Sequence, residues 1–362
     1  MKILVITTVP FGKDGITNVA LSLMRQGMKT GESFDLVTTA IKDEKRAKEL
    51  EASGVRIFVL PRNMKESFKY VGELSGIIRE NGYDAVHIHT NSHTCVYELL
   101  AAKRGGCGIR IVHAHNSRTK HPAIHKMMTP LFNSLCNVRL ACSEKAGRFM
   151  HGKHPFTVIN NGVDTKKYSF CETDRERIRK ELSVLDNEIL LGHVGAFNEQ
   201  KNQRLLVEIM SALASKAKKY RLVLVGTGAL EEQIKKAVQD AGLGDKVIFA
   251  GSVDEVYAYL SAMDIILMPS LYEGLPLTLV EQQANGLCCI VSDRITKEAD
   301  LTGNLTFLPI DQGVEPWVEA VENEDLNYDR YLMSQKADRL IREKGYEIES
   351  TGAKMSAVYR GE

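Results

Sequence analysis

The sequence has no apolar run long enough to cross a bilayer. Its first apolar stretch, Ile3 to Val9, stops at Pro10-Phe-Gly12 and carries no small-residue cleavage site, so it reads as a strand and not a signal peptide. No two cysteines have Cys-x-x-Cys spacing. The seven are odd in number and lie mostly in apolar surroundings, as adjacent Cys288 and Cys289 do, so they read as reduced core residues of a cytoplasmic protein. Only nine prolines and no low-complexity tract occur, which argues against long disorder. Also missing are an Asp-x-Asp triplet, a Gly-x-Gly-x-x-Gly fingerprint and a Gly-x-x-x-x-Gly-Lys-Ser/Thr loop. These absences disfavour a metal-held diphosphate, a dinucleotide fold and a P-loop nucleotidase. No recognition-helix motif is present and the pI is near 7.6, so nucleic acid is not expected as a partner.

What is present is a chain of 362 residues with ordinary globular composition, 44% hydrophobic and 26% charged. That length favours two domains. The net charge of +1 conceals an asymmetry. Residues 1–165 hold 23 Lys and Arg against 14 Asp and Glu, a net of +9, and the remainder holds 24 against 32, a net of −8. The basic half either faces something anionic or has drifted in charge without consequence.

Strand and helix signals alternate in both halves. In the first half strands are expected near 2–8, 34–40, 55–60, 84–89, 109–113, 138–141 and 156–159. In the second they are expected near 189–195, 220–226, 246–250, 264–268 and 288–292. Alternating βα units imply parallel sheets with ligand sites beyond the carboxyl ends of the strands. The expected fold is therefore α/β: two doubly wound, Rossmann-like domains facing each other across a cleft. The turn-rich Asn160-Asn-Gly-Val-Asp164 marks the boundary. The expected division is 1–165, 166–345, and a terminal helix 346–362 that packs back on the first domain.

The most informative stretch is Ser270-Leu-Tyr-Glu-Gly-Leu-Pro-Leu-Thr-Leu-Val-Glu-Gln-Gln-Ala-Asn-Gly286. It follows an apolar strand, Ile265 to Met268. Pro276 suits the first turn of a helix, because its missing N–H is unpaired there anyway, and Gly286 suits its end. Glu273 then lies on the strand-to-helix loop and Glu281 inside the helix. Between them the N–H groups of Gly274 and Leu275 suit an anion. Other loops fall at the same sheet edge. Gly12 and Gly15 open the first helix to close approach of a ligand, and Lys201 adds a point charge after the strand that ends in Gly192-His-Val-Gly195. Gly226-Thr-Gly228 and Gly251-Ser-Val-Asp254 follow two further strands. Ile111-Val-His-Ala-His115 with His87 and His89 upstream invites a zinc reading, but no third and fourth ligand has a recognisable spacing. The expectation is no metal, with His115 as a donor to a substrate oxygen.

Together these segments resemble the retaining nucleotide-sugar glycosyltransferases of the GT-B fold, family 4, in their bacterial capsular and exopolysaccharide branch. The resemblance runs through nearly the whole chain, and its most specific element is the pair Glu273 and Glu281. It implies a metal-independent, cofactor-free transfer of a hexose or N-acetylhexosamine from a nucleotide-sugar, a UDP-sugar by preference, to a glycan or lipid-linked glycan. By matching position, Glu273 would hold hydroxyls of the transferred sugar and Glu281 the ribose. Lys201, Gly15 and the Gly274-Leu275 segment would neutralise the diphosphate, Val253 would meet the base, and His115 would bond the donor near the reacting centre. One departure stands out: Ala196 occupies a position where the family commonly has arginine, and Arg294 or Lys13 could supply the missing cation. Two other readings keep the fold: a non-catalytic nucleotide-sugar-binding partner of another transferase, and a UDP-sugar epimerase. On the basic half, Arg62, Lys65, Arg118 and Lys120 form the expected acceptor side, in peripheral contact with the anionic inner face of the plasma membrane.

Overall fold

The computed structural model describes residues 1–62, 66–119, 121–273 and 275–362. Lys65, Lys120 and Gly274, each given a role above, lie outside the described residues. The chain forms two compact units, Met1–Gly162 with Ile348–Glu362, and Val163–Glu347.

The first unit is built on seven parallel strands: β1 (Lys2–Thr7), β2 (Ser33–Thr38), β3 (Arg56–Val59), β4 (Ala85–Thr90), β5 (Ile109–Ala114), β6 (Val138–Ala141) and β7 (Thr157–Val158). Their order is β3-β2-β1-β4-β5-β6-β7. The second unit has β8 (Glu188–Val194), β9 (Lys219–Val225), β10 (Val247–Gly251), β11 (Ile265–Met268), β12 (Cys288–Ser292) and β13 (Leu305–Leu308), in the order β10-β9-β8-β11-β12-β13. Every strand pairing is parallel. A parallel sheet is covered by helices on both faces, so its strands must be apolar without alternation. Ile3 to Ile6 and Ile265 to Met268 are accordingly buried throughout. In each unit the strand order reverses between two neighbours, β1 and β4 in the first and β8 and β11 in the second. The crevice at that reversal is where such sheets bind ligands.

The terminal helix Ile348–Arg360 belongs to the first unit and packs on the helix Gly15–Lys29. Gly352 makes the contact close, since a Cβ there would lie 2.5 Å from the Gln26 Cβ. Tyr359 is fully buried, with its ring 6.0 Å from that of Phe34.

Two elements differ from expectation for clear reasons. The helix Glu44–Ala52 has no sequence signal because it buries only Ala47 and Leu50. Where the periodic pattern predicts one helix near 201–217, the structure is interrupted: a single turn, Glu199–Lys201, is followed by Asn202 in the left-handed conformation (φ 52°) before the helix Gln203–Leu213 begins.

Candidate active site

At the switch point of the second unit, the loops after β8 and β11 are tied together. The Leu271 N–H donates to the Gln200 carbonyl at 2.8 Å, the Gln200 side-chain amide to the Tyr272 carbonyl at 3.0 Å, and the Asn202 side-chain amide to the Pro269 carbonyl at 3.2 Å. This bracing brings Lys201 and Glu273 together: Nζ donates to Oε1 at 2.7 Å, with the side chains 14% and 9% exposed. Asn198 fixes the lysine turn by accepting the Lys201 N–H at 3.0 Å. Beneath it the buried His193 ring makes a 2.9 Å bond through Nδ1 to the Leu267 carbonyl. Burial lowers its pKa to about 4, so the ring is neutral at pH 7 and adds no competing charge below Lys201. The floor of the site needs glycine. A Cβ on Gly226, which sits at φ 137°, would lie 2.2 Å from the Gly195 carbonyl oxygen.

The helix after Glu273 starts later than expected. It spans Leu277–Ala284, and Pro276 is its N-cap in an extended conformation (φ −72°, ψ 126°), not a member of the first turn. Leu275 therefore precedes the cap, and the open donors of the helix start are those of residues 277 and 278, since the Leu279 N–H donates to the Pro276 carbonyl at 3.0 Å. Thr278 lies in that first turn, and its hydroxyl is buried without a hydrogen-bond partner. Sequence reading missed Thr278, whose place at the helix start depends on where the cap falls. Leu275 packs against the apolar core of the second unit, as Val253 does just beyond β10.

Glu281 projects from the second turn of this helix. Burial pushes its carboxyl up to about 7, although the Tyr168 hydroxyl and the Lys167 charge both pull it down. Tyr168 is a second residue that sequence reading missed, because it comes from a segment far from the Glu-Gly-Leu-Pro motif.

In the first unit, Gly15 opens the helix Gly15–Lys29, and a side chain there would meet no heavy atom within 4 Å. The Asp14 carboxylate caps the same helix, accepting from the Ile16 and Thr17 N–H groups at 3.0 and 3.1 Å. His115 stands just beyond β5, with Nε2 2.8 Å from His89 Nδ1. Burial lowers its pKa to about 3, so it is a neutral hydrogen-bonding ring at physiological pH.

Arg62 turns inward. It pairs with the buried Glu98 carboxylate at 3.2 Å and donates to the Thr94 carbonyl at 2.5 Å, and Tyr70 donates to the same carboxylate at 3.0 Å. A guanidinium held this way braces two segments of the first unit and is not offered to a membrane. Arg118 is exposed on the loop after β5. Of the cations considered for the Ala196 position, Arg294 lies at the carboxyl end of β12 but is answered by Asp311 at 3.0 Å and Asp293 at 3.4 Å. Lys13 lies on the loop after β1 in the first unit.

Comparison with known proteins agrees with this fold. Residues 13–167 match the family model "Glycosyltransferase Family 4" and residues 174–306 match "Glycosyl transferases group 1". EpsF of Bacillus subtilis, named as a glycosyltransferase, is 29% identical over 327 residues, 85% of this chain and 84% of that protein. The Escherichia coli UDP-Gal:alpha-D-GlcNAc-diphosphoundecaprenol alpha-1,3-galactosyltransferase is 27% identical over 292 residues, 75% of each chain. Among solved structures, Anabaena HepE in complex with UDP superposes over 100% of both chains with a TM-score of 0.79 at 17% identity. WaaG, a glycosyltransferase involved in lipopolysaccharide biosynthesis, superposes over 99% of this chain and 100% of its own with a TM-score of 0.75 at 12% identity. With the two family matches covering most of its length, the chain is a glycosyltransferase of the GT-B fold, a family 4 domain followed by a group 1 domain.

Proposed function

We propose that this glycosyltransferase moves a hexose or N-acetylhexosamine from a UDP-sugar to a lipid-linked glycan, with retention at the anomeric carbon and without a divalent ion on the diphosphate. The observation that carries the reading is the braced Lys201–Glu273 pair at the switch point, followed by a helix start and Glu281. A nucleoside diphosphate is a leaving group whose charge must be stabilised as the glycosidic bond stretches. Lys201 and the donors of the helix start, with the free Thr278 hydroxyl, supply that stabilisation. Glu273, loosened from Lys201 as the phosphate takes the ammonium, accepts hydroxyls of the sugar. Glu281 accepts the ribose hydroxyls, and Val253 meets the base. Gly15 and His115 stand at the carboxyl edge of the first sheet, and the resemblance gives them the phosphate and the transferred sugar as partners. No side chain is needed as a nucleophile if the acceptor attacks on the leaving-group face and the departing phosphate takes its proton.

Support for the donor comes from the UDP complex of HepE and the UDP-Gal named for the Escherichia coli relative. The diphosphoundecaprenol in that relative's name supports a lipid-linked acceptor, and its alpha linkage supports retention. Peripheral binding to the anionic inner face of the plasma membrane completes the proposal. Met127 and Leu131 on the helix Pro122–Leu135 are 68% and 44% exposed beside the exposed Lys126, in the basic unit. Among the described residues no helix is long and apolar enough to cross a membrane.

A panel of UDP-, GDP- and dTDP-sugars read by thermal shift and donor hydrolysis tests the donor assignment. UDP-sugars should shift the melting curve and be hydrolysed at the same rate with or without added magnesium or manganese. Binding restricted to GDP-sugars, or turnover only with the added ion, would refute it.

A further inference from the structure

Four histidines lie side by side on one face of the first sheet. His87 and His89 alternate along β4, His113 is the register partner of His89 on β5, and His115 follows it. The rings are in mutual contact: His87 to His89 at 4.2 Å between centroids, His89 to His113 at 5.3 Å, His113 to His115 at 4.5 Å. We infer that His87, His89 and His113 form a buried site for one divalent transition-metal ion of the zinc class.

Three observations carry this. First, one ring nitrogen of each histidine lies within 4.8 Å of one nitrogen of each of the others. A tetrahedral ion with bonds of about 2.0–2.1 Å requires its ligand atoms to converge by roughly another ångström, which side-chain rotation supplies. Second, ring nitrogens of all three ligands are left over. His87 Nε2, His89 Nε2 and both ring nitrogens of His113 are buried without a hydrogen-bond partner. A neutral imidazole carries one N–H and one lone pair, and leaving such groups buried and unpaired is unfavourable. Third, the opposite nitrogens of two ligands are already held. His87 Nδ1 bonds the Tyr359 hydroxyl at 2.8 Å and His89 Nδ1 bonds His115 Nε2 at 2.8 Å. Metal-ligating histidines are oriented in this way, by an outer partner on the nitrogen that does not bind the ion. All-imidazole ligation suits zinc among the abundant divalent ions, with a fourth position left for water.

The ligands all belong to the first unit, and the site acts on that unit's His115. With Nε2 of His89 on the ion, its Nδ1–H donates to His115 Nε2. His115 then carries its own proton on Nδ1, the tautomer in which that nitrogen can donate to a substrate oxygen. His89 is thus a positioning residue for His115.

The test uses the full-length, tag-free protein. After dialysis against chelator-treated buffer, the wild type should retain about one equivalent of zinc by elemental analysis, and cobalt(II) exchanged in its place should show intense tetrahedral d–d absorption. His113→Asn should lose both signals. Tyr359→Phe, which removes only the hydroxyl on His87, should weaken zinc affinity by roughly 10–100-fold. His121→Asn with His154→Asn, both exposed, should change nothing. A folded wild type that takes up no stoichiometric zinc or cobalt overturns the inference. So does an ion held equally well by Tyr359→Phe and by a folded His113→Asn; if His113→Asn fails to fold, Tyr359→Phe and the wild type decide.

Discussion

The Lys201 ammonium and the Glu273 carboxylate face each other at 2.7 Å, so the group proposed for the diphosphate and the group proposed for the sugar neutralise one another in the free protein. Removing one member of a pair this poorly exposed leaves the other charged and desolvated, a loss of about 3 kcal/mol. Lys201→Ala should therefore lower the melting temperature markedly and abolish transfer. Adding Glu273→Gln should restore much of the stability but none of the activity. Thermal melts and transfer assays on the two single variants and the double variant complete the cycle. Additive stability losses would show that the pair is not coupled.

Glu273 and Glu281 should separate in donor binding. Glu273→Ala should remove discrimination among sugars while UDP affinity falls little. Glu281→Ala should weaken UDP itself by about 1.5–3 kcal/mol, the value of hydrogen bonds to a charged group. Calorimetric titration with UDP and with UDP-sugars distinguishes them, and equal losses of UDP affinity would contradict the assignment.

Glu281 also sets a pH dependence. Its folded pKa of about 7 means that the carboxylate form needed for the ribose is lost as pH falls below 7. The wild-type affinity for UDP should drop roughly tenfold between pH 8 and pH 5.5 relative to Glu281→Gln, whose own change reports the phosphate alone. The stability effect has the opposite sense. A carboxyl raised from 4.5 to about 7 costs folding free energy that grows across that interval and persists above it, up to about 3 kcal/mol. Glu281→Gln should raise the melting temperature at pH 8 and leave it unchanged at pH 4.5.

The donor side of this site was legible in the sequence because its signals are local. An apolar strand, a loop glutamate, a proline and a periodic helix follow one another within the segment 265–286. The residue-level frame was not legible. Whether Pro276 caps the helix or enters it depends on its ψ of 126°, and that choice decides whether Leu275 or Thr278 lies at the helix start. Arg62 read as a surface cation because its partner, Glu98, is distant in sequence and meets it only after the first sheet has formed. The histidines were visible, but their grouping as His87, His89 and His113 was not, for a related reason. No ligand spacing along the chain describes it, since it exists only when β4 and β5 align His89 with His113. β13 escaped notice because Leu305–Leu308 is a half-exposed edge strand with little apolar contrast.

The membrane proposal loses Arg62 and keeps the helix that follows Arg118. With Arg62 turned inward, the exposed apolar pair Met127 and Leu131 beside Lys126 is the face available for an anionic bilayer. Burying either side chain contributes about 1.5–3 kcal/mol. Met127→Asp with Leu131→Asp should reduce flotation with phosphatidylglycerol vesicles at least tenfold, while UDP binding is unchanged. Arg62→Gln should instead destabilise the first unit by leaving Glu98 unpaired. No flotation of the wild type at low salt would refute the docking.

Acid should unfold the first unit before the second. His93, His125 and His151 lie together there, with the His93 and His125 rings stacked at 3.8 Å between centroids. Burial lowers His125 and His151 to about 4, and lowers His93 as well. The folded state therefore prefers the neutral rings. Their contribution is complete above the ordinary pKa of 6.5 and is lost as pH falls from 6.5 towards 4. The buried His151 alone accounts for up to about 3 kcal/mol over that range, and the half-buried His125 for less. The second unit has one such group, His193. It also holds the single tryptophan, Trp317, fully buried. Melts at pH 5 should thus show a loss of helical circular dichroism that precedes the change in Trp317 fluorescence. At pH 7.5 the two transitions should lie closer together. Substituting His151 with Gln should narrow the gap at pH 5, because an amide can donate to the Leu140 carbonyl that His151 now meets at 2.9 Å without taking up a proton. Simultaneous transitions at pH 5 would show that the two units do not differ in this linkage.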